Sequence, residues 1–205
     1  ILAPMYRTDV GINKLNEALQ QLINPPSKQK RSVKYNDIIF RSGDKVIQLV
    51  NQAEKGVYNG DIGEIITILK ADETDENVEQ IVVNFDGKEV YYVRNEWNQL
   101  MHAYCISIHK SQGSEFDIVI IPVIGAYRRM LRKNLLYTAI TRSKQSLIIC
   151  GSEQAFLQGV ATEDFNTRNT TLTERIQAMF SPGNALAIPD QGSEEEESIS
   201  PYDFM

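Results

Sequence analysis

The chain has 205 residues, 42% hydrophobic and 23% charged, with a formal net charge of −6. That length supports one large domain or two small ones around a sizeable core. Twelve Gly, seven Pro and only two Cys exclude a collagen-like, low-complexity or disulfide-stapled chain. The longest apolar runs, such as Ile118-Val119-Ile120-Ile121, suit buried strands and are too short to span a bilayer, so no membrane partner is expected. No signal peptide is expected, and sparse cysteine fits a reduced, cytoplasmic setting. The chain begins with Ile inside a strand-like run, which reads as a fragment of a longer protein.

The charge is unevenly placed. Residues 181–205 hold six acids (Asp190, Glu194, Glu195, Glu196, Glu197 and Asp203) and no Lys or Arg. The remainder is balanced, with 21 acids against 21 bases, so the negative total does not argue against a polyanionic partner. Two basic clusters stand out: Lys28, Lys30, Arg31 and Lys34, then Arg128, Arg129, Arg132 and Lys133. Taken singly, each reads as a solvated face.

In chain order, Ile1-Leu2-Ala3 is a short strand ended by Pro4. Ile12, Leu15, Leu19, Leu22 and Ile23 fall at helical spacing and predict an amphipathic helix stopped before Pro25-Pro26. Residues 24–36 are polar and basic and suit a surface crossing. Residues 37–97 change character, with β-rich runs at 46–50, 63–69, 80–85 and 90–93 separated by turn signals. Asp86-Gly87 predicts a two-residue hairpin. Four or five short strands in that span suggest a small SH3-like or OB-like barrel.

Beyond Leu100, strands are expected at 103–108, at 116–123 as a run covered on both faces, and at Leu147–Cys150 as another buried strand. Cys105 and Cys150 fall within these strands. Helices are expected at about 130–142, from about Ser152, and from Thr171, where Thr171 and Glu174 have capping-box spacing. Strand–helix alternation with apolar strands implies a parallel α/β sheet with helices on both faces. The expected organisation is an α/β domain in two segments (1–36 and 98–180), an inserted barrel (37–97) and an acidic tail (181–205). The tail's Pro, Gly, Ser and Glu content reads as disordered unless bound.

Three segments carry the candidate chemistry: Pro4-Met5-Tyr6-Arg7, Ser107 to Phe116, and Leu136-Tyr137-Thr138-Ala139-Ile140-Thr141-Arg142. All three lie at strand ends or helix edges, and in open α/β sheets ligands collect beyond the carboxyl ends of strands. They resemble motifs IV, V and VI of superfamily 1 helicases, and the specific match is the second motor domain of RecD-like DNA helicases. Gly43-Asp44-Lys45-Val46 and Tyr58-Asn59-Gly60-Asp61-Ile62-Gly63 are similar to the SH3-like insertion of that domain. The resemblance covers about residues 1–180.

The resemblance implies a RecA-like fold and an ATP-dependent helicase that translocates on single-stranded DNA, 5′ to 3′, and unwinds duplexes in repair or recombination. It implies ATP and Mg2+, held mainly by a first motor domain of the same protein. That domain would carry the phosphate-cradling loop that is missing here, so the fragment alone is expected to be inactive. Arg142 would be the arginine finger, because a guanidinium stays charged and meets phosphate oxygens through two donors. The alternative is a helix-end arginine favoured by the macrodipole. Arg7 would be a second phosphate sensor, and Tyr6 either stacks on a base or is a buried tyrosine at a strand end.

Gln112, Gly113 and Glu115 would face the nucleotide, Glu115 on the ribose and Gln112 towards the γ-phosphate. Ser107, His109 and Lys110 would contact single-stranded DNA, and single-strand/duplex junctions are implied as partners of the whole protein. The two His and two Cys make no metal-site pattern, and His102 reads as a packed imidazole. The barrel either braces DNA or is a packing module. The tail either docks a protein partner or solubilises. A competing reading of the whole is a non-enzymatic nucleic-acid or partner-binding module on a degenerate motor fold.

Overall fold

A computed structural model describes residues 1–162 and 171–180. Two compact units divide at Asp164/Phe165. The acidic tail lies outside the described residues.

The first unit opens with β1 (Leu2–Ala3), which pairs in parallel with β9 (Ile106–Ser107). β10 (Phe116–Val123) pairs in parallel with β11 (Ser143–Gly151) and lies beside β1. Alternation along β1 sends its two side chains to opposite faces. Leu2 joins Val119, Ile121 and Val123 of β10 under α2 (Lys133–Ile140) and α3 (Glu153–Ala161). Ala3 packs instead with Ile12 of α1 (Ile12–Ile23) and with Cys105. Helices therefore cover both faces, as expected. The Ser152 hydroxyl caps α3 by accepting the Ala155 N–H at 3.2 Å.

Three expectations need correction. The strand expected at 103–108 is only Ile106–Ser107, and Cys105 sits buried ahead of it. β10 is not covered on both faces throughout, since Ile118 is 60% exposed. β11 is not buried: among the described residues β10 is its only partner strand, and Leu147, Ile148, Ile149 and Cys150 are exposed. Apolar composition reports what a strand tolerates, and its neighbours decide what is covered.

The inserted segment forms a five-stranded antiparallel sheet in the order β7-β6-β5-β4-β8. Its strands are β4 (Lys45–Gln48), β5 (Ile62–Leu69), β6 (Gln80–Phe85), β7 (Lys88–Val93) and β8 (Leu100–His102). Asp86 and Gly87 both take positive φ, 48° and 89°, as the expected two-residue turn between β6 and β7 demands. β2 (Ser32–Tyr35) and β3 (Ile38–Arg41) form a hairpin whose Val33, Tyr35 and Ile38 pack on the barrel core around Trp97, Tyr92 and Phe40. Strands therefore flank the 37–97 segment on both sides, and β2 occupies part of the stretch expected as a surface crossing.

α1 differs from its periodicity reading. Leu22 and Ile23 are 78% and 61% exposed, whereas Asn16 and Gln20 are buried. The amides are turned inward because buried polar groups require them. Asn16 exchanges two 2.8 Å hydrogen bonds with the Cys105 backbone. Asp44, its side chain fully buried in the turn between β3 and β4, accepts hydrogen bonds from Gln20 Nε2 (2.6 Å), Asn24 Nδ2 (2.7 Å), the Arg41 N–H (2.7 Å) and the Tyr104 hydroxyl (3.0 Å). His102 Nε2 of β8 lies 3.1 Å from it. One carboxylate thus ties α1, the β3–β4 turn and β8 together.

In the second unit α4 (Leu172–Phe180) carries Leu172, Ile176, Met179 and Phe180, all exposed. Among the described residues no helix is long and apolar enough to cross a membrane.

Burial raises the Asp44 pKa, but the donors from His102, Asn24 and Gln20 outweigh it and hold the carboxyl below the usual range. A depressed native value adds stability that is complete above the unfolded pKa, about 4, and is lost as pH falls through the native one. Asp44→Ala should cost about 3 kcal/mol in denaturant unfolding at neutral pH, because several buried donors lose their acceptor. Asp44→Asn should flatten the loss of stability between about pH 5 and 3.

Candidate functional site

The loop from Ile108 to Glu115 turns tightly after β9. The Ser107 hydroxyl accepts the Lys110 N–H at 3.1 Å, and the Ser111 hydroxyl donates to Ile108 O at 2.7 Å. Backbone bonds from Gln112 to His109 O and from Ser114 to Ser111 O complete the turn. Gly113 sits at φ +84°, where a side chain is strained, with open space around it. Ser107 is buried, His109 is exposed and Lys110 is half-buried. Burial pushes the Lys110 ammonium pKa down, and its Nζ donates to Asn59 Oδ1 of the barrel at 3.1 Å. Tyr58, beside Asn59, is 53% exposed. Asp61 fixes that loop by accepting the Tyr58 N–H at 2.8 Å. Asn59-Gly60-Asp61 reads in the sequence only as a turn, and its contact with Lys110 comes from the packing of the barrel.

Arg142 follows the end of α2. Its Nε donates to Thr138 O (3.1 Å), its Nη1 to Ser114 O (3.1 Å) and its Nη2 to Thr141 Oγ1 (3.2 Å). Its own carbonyl accepts the Phe116 N–H at 2.8 Å. The second and third sequence segments therefore meet through this one residue. Gln112, Gly113 and Glu115 are exposed on the same rim, and Lys144 lies 3.4 Å from Glu115 with both side chains more than half exposed. That ion pair adds little stability and leaves both groups open to a ligand.

The structure does not bring Tyr6 and Arg7 to this rim. Both are exposed, so the buried reading of Tyr6 is excluded. They line a groove with Ile124 and Ala126, just past β10. Ile1 and Leu2 share a second groove with Phe116 and Ile118, so β1 and β10 run the same way. Tyr6 and Arg7 thus stand at the carboxyl ends of β1 and β10. Arg142 and Glu115 stand at the amino ends of β11 and β10. The two ends are roughly 25 Å apart at about 3.3 Å per residue. The third segment lies at the amino edge because a crossover between parallel strands must bring the Arg142 helix back there.

The rim offers two cations (Arg142, Lys144) and the Gln112 amide as donors towards phosphate, the Glu115 carboxylate as an acceptor for ribose hydroxyls, and the Gly113 backbone, a set that fits a nucleotide. For Mg2+, no group of three acidic, histidine or cysteine residues converges among the described residues.

Parallel strands under helices on both faces, interrupted by an antiparallel barrel whose loop meets the Ser107–Glu115 turn, with Arg142 closing that turn, define the second motor domain of a superfamily 1 helicase. A family model described as the ATP-dependent RecD-like DNA helicase SH3 domain matches residues 15–85, and one described as the UvrD-like helicase C-terminal domain matches residues 102–150. The chain belongs to the RecD-like DNA helicases, of which it is the second motor domain with its SH3-like insertion.

An ATP-dependent RecD2 DNA helicase of Deinococcus radiodurans is 34% identical over 178 residues, 87% of this chain and 23% of that protein. The RecBCD enzyme subunit RecD of Buchnera aphidicola is 27% identical over 154 residues, 73% of this chain and 24% of that protein. The chain thus spans about a quarter of the length of these relatives. A crystal structure of Pif1 helicase from Bacteroides in complex with ADP-AlF3 and ssDNA shares the fold, with a TM-score of 0.52 at 21% identity over 89% of this chain and 46% of that one.

Gly113→Ala meets open space, so only backbone strain opposes it. It should lower unfolding stability by about 1 kcal/mol in a denaturant titration. An unchanged midpoint would mean that the turn does not need its left-handed residue.

Proposed function

We propose that this chain is the trailing motor half of an ATP-dependent helicase that translocates 5′ to 3′ on single-stranded DNA and opens duplexes. The motor comprises 1–36 and 98–180, with strands 32–35 and 100–102 at the seams of the inserted barrel. The observation that carries the reading is the 3.1 Å bond from Arg142 Nη1 to Ser114 O, which joins the phosphate-seeking arginine to the loop that bears His109 and Lys110.

With no ligand, the Arg142 guanidinium spends its donors on neutral acceptors. A γ-phosphate presented across the cleft by the first motor domain is a better partner, since charge-assisted hydrogen bonds are roughly twice as strong. Arg142 turning to it releases Ser114 and loosens the turn that sets Lys110 and His109 on the DNA backbone. ATP thereby acquires contacts that ADP lacks, which is the differential affinity needed to shift a conformational equilibrium. Glu115 is assigned to the ribose and Gln112 to γ-phosphate sensing, with Gly113 admitting the nucleotide closely. Mg2+ and the phosphate cradle are assigned to the first motor domain, where the metal would neutralise charge on the phosphates.

The finger role goes to Arg142 alone. Arg7 is assigned a separate phosphate contact and Tyr6 a stacking role at the other strand edge. Lys110 and His109 are assigned to DNA phosphates, with Ser107 shaping the turn beneath them. The Lys110–Asn59 bond favours a DNA-bracing role for the barrel over simple packing. Action in the cytoplasm, in repair or recombination, and a partner-docking role for the tail belong to the same reading.

In the whole helicase, Arg142→Ala should lower DNA-stimulated ATPase by about 10³-fold or more, a loss far larger than the one it causes in oligo-dT affinity. Unchanged ATPase would overturn the finger role, and a wild type without ATPase would favour a non-enzymatic binding module. Lys110→Ala should instead weaken oligo-dT binding and reduce its salt slope by about 0.7, as one lost single-strand phosphate contact requires. The 205-residue chain alone should show no ATPase above an Arg142→Ala control.

A further inference from the structure

The second basic cluster has no part in the machinery described above. Arg128, Arg129 and Arg132 line one groove, opposite Gln158 and Thr162 at the end of α3, and the two other lining residues are the small Gly159 and Ala161. The three arginines are exposed. Among the described residues no carboxylate lies within ion-pair distance of Arg128 or Arg129. Glu163 and Asp164 follow Thr162 in the sequence and lie outside the described residues.

We propose that this groove binds the phosphate backbone of duplex DNA, as a surface separate from the single-strand track. Guanidinium groups meet phosphate oxygens through paired donors, and the Gln158 amide adds a neutral one, whereas the Thr162 hydroxyl is committed to Gln158 O at 2.7 Å. No aromatic side chain lines the groove, so it offers nothing for an unstacked base to lie on, which is what single-strand platforms supply. Duplex DNA asks only for regularly spaced charge.

The location also keeps the two surfaces apart. The cluster follows the carboxyl end of β10, whereas the turn bearing His109 and Lys110 leads into its amino end. No residue of that turn lines the arginine groove, so the two surfaces can be altered separately. The inference rests on the helicase reading only in supposing that duplex DNA is at hand; the groove's chemistry does not depend on ATP.

The test is the double variant Arg128→Gln/Arg129→Gln in the whole helicase. Both positions are exposed and neither touches the nucleotide rim. Binding of a blunt 20-base-pair duplex and of oligo-dT is followed by fluorescence anisotropy from 50 to 200 mM salt. Duplex affinity should fall about ten-fold and its salt slope by about 2, while oligo-dT affinity and dT-stimulated ATPase hold. Arg128→Lys/Arg129→Lys should restore the slope, because ammonium groups also neutralise phosphates.

Unchanged duplex binding, or equal losses for duplex and oligo-dT, would overturn the proposal. Should the wild type lack dT-stimulated ATPase, the motor reading fails. The duplex titration still decides the groove independently.

Discussion

A carboxylate with no exposure to solvent has to be satisfied by its neighbours, and Asp44 sets that demand at the seam of this molecule. Burial penalises its charge, and five groups from α1, the β3–β4 turn and the β8 region answer it. Those groups come from both sides of the insertion, so the barrel cannot swing without unpairing a buried ion. The consequence appears elsewhere on the surface: Asn59 of the barrel stands within hydrogen-bond reach of Lys110. A small packing module therefore acts as a fixed wall beside the candidate DNA track.

Arg142 works by a different physics. Its three hydrogen bonds are all to neutral oxygens, and a full charge held by neutral acceptors is held loosely compared with what a phosphate offers. On the proposed reading the same side chain would exchange these neutral oxygens for those of a triphosphate, and its bond to Ser114 would pass that exchange to the turn that carries His109 and Lys110.

Much of the fold was legible because it depends on local periodicity. The Asp86-Gly87 turn, the four central barrel strands and the helix after Ser152 all follow from side-chain alternation and turn chemistry within a few residues. Burial was less legible. The same aliphatic residues that mark β11 as a strand sit exposed, since coverage is a property of neighbours. In α1 the apolar spacing located the helix and the inward Ile12, Leu15 and Leu19, but not the buried amides, because the demand for Gln20 and Asn24 comes from Asp44, twenty or more residues away in sequence.

The candidate site divides along the same line. The motif residues could be named from the chain alone, for each is a residue type whose chemistry suits phosphate, ribose or backbone. Their grouping could not. That Arg142 meets Ser114, and that Arg7 stands at the other end of β10, follows from how a crossover helix returns to the start of the next parallel strand. Sequence determined which groups this protein brings. Tertiary structure decided which of them share a rim, because proximity across the sheet is set by strand direction and packing, neither of which is written in any short stretch of residues.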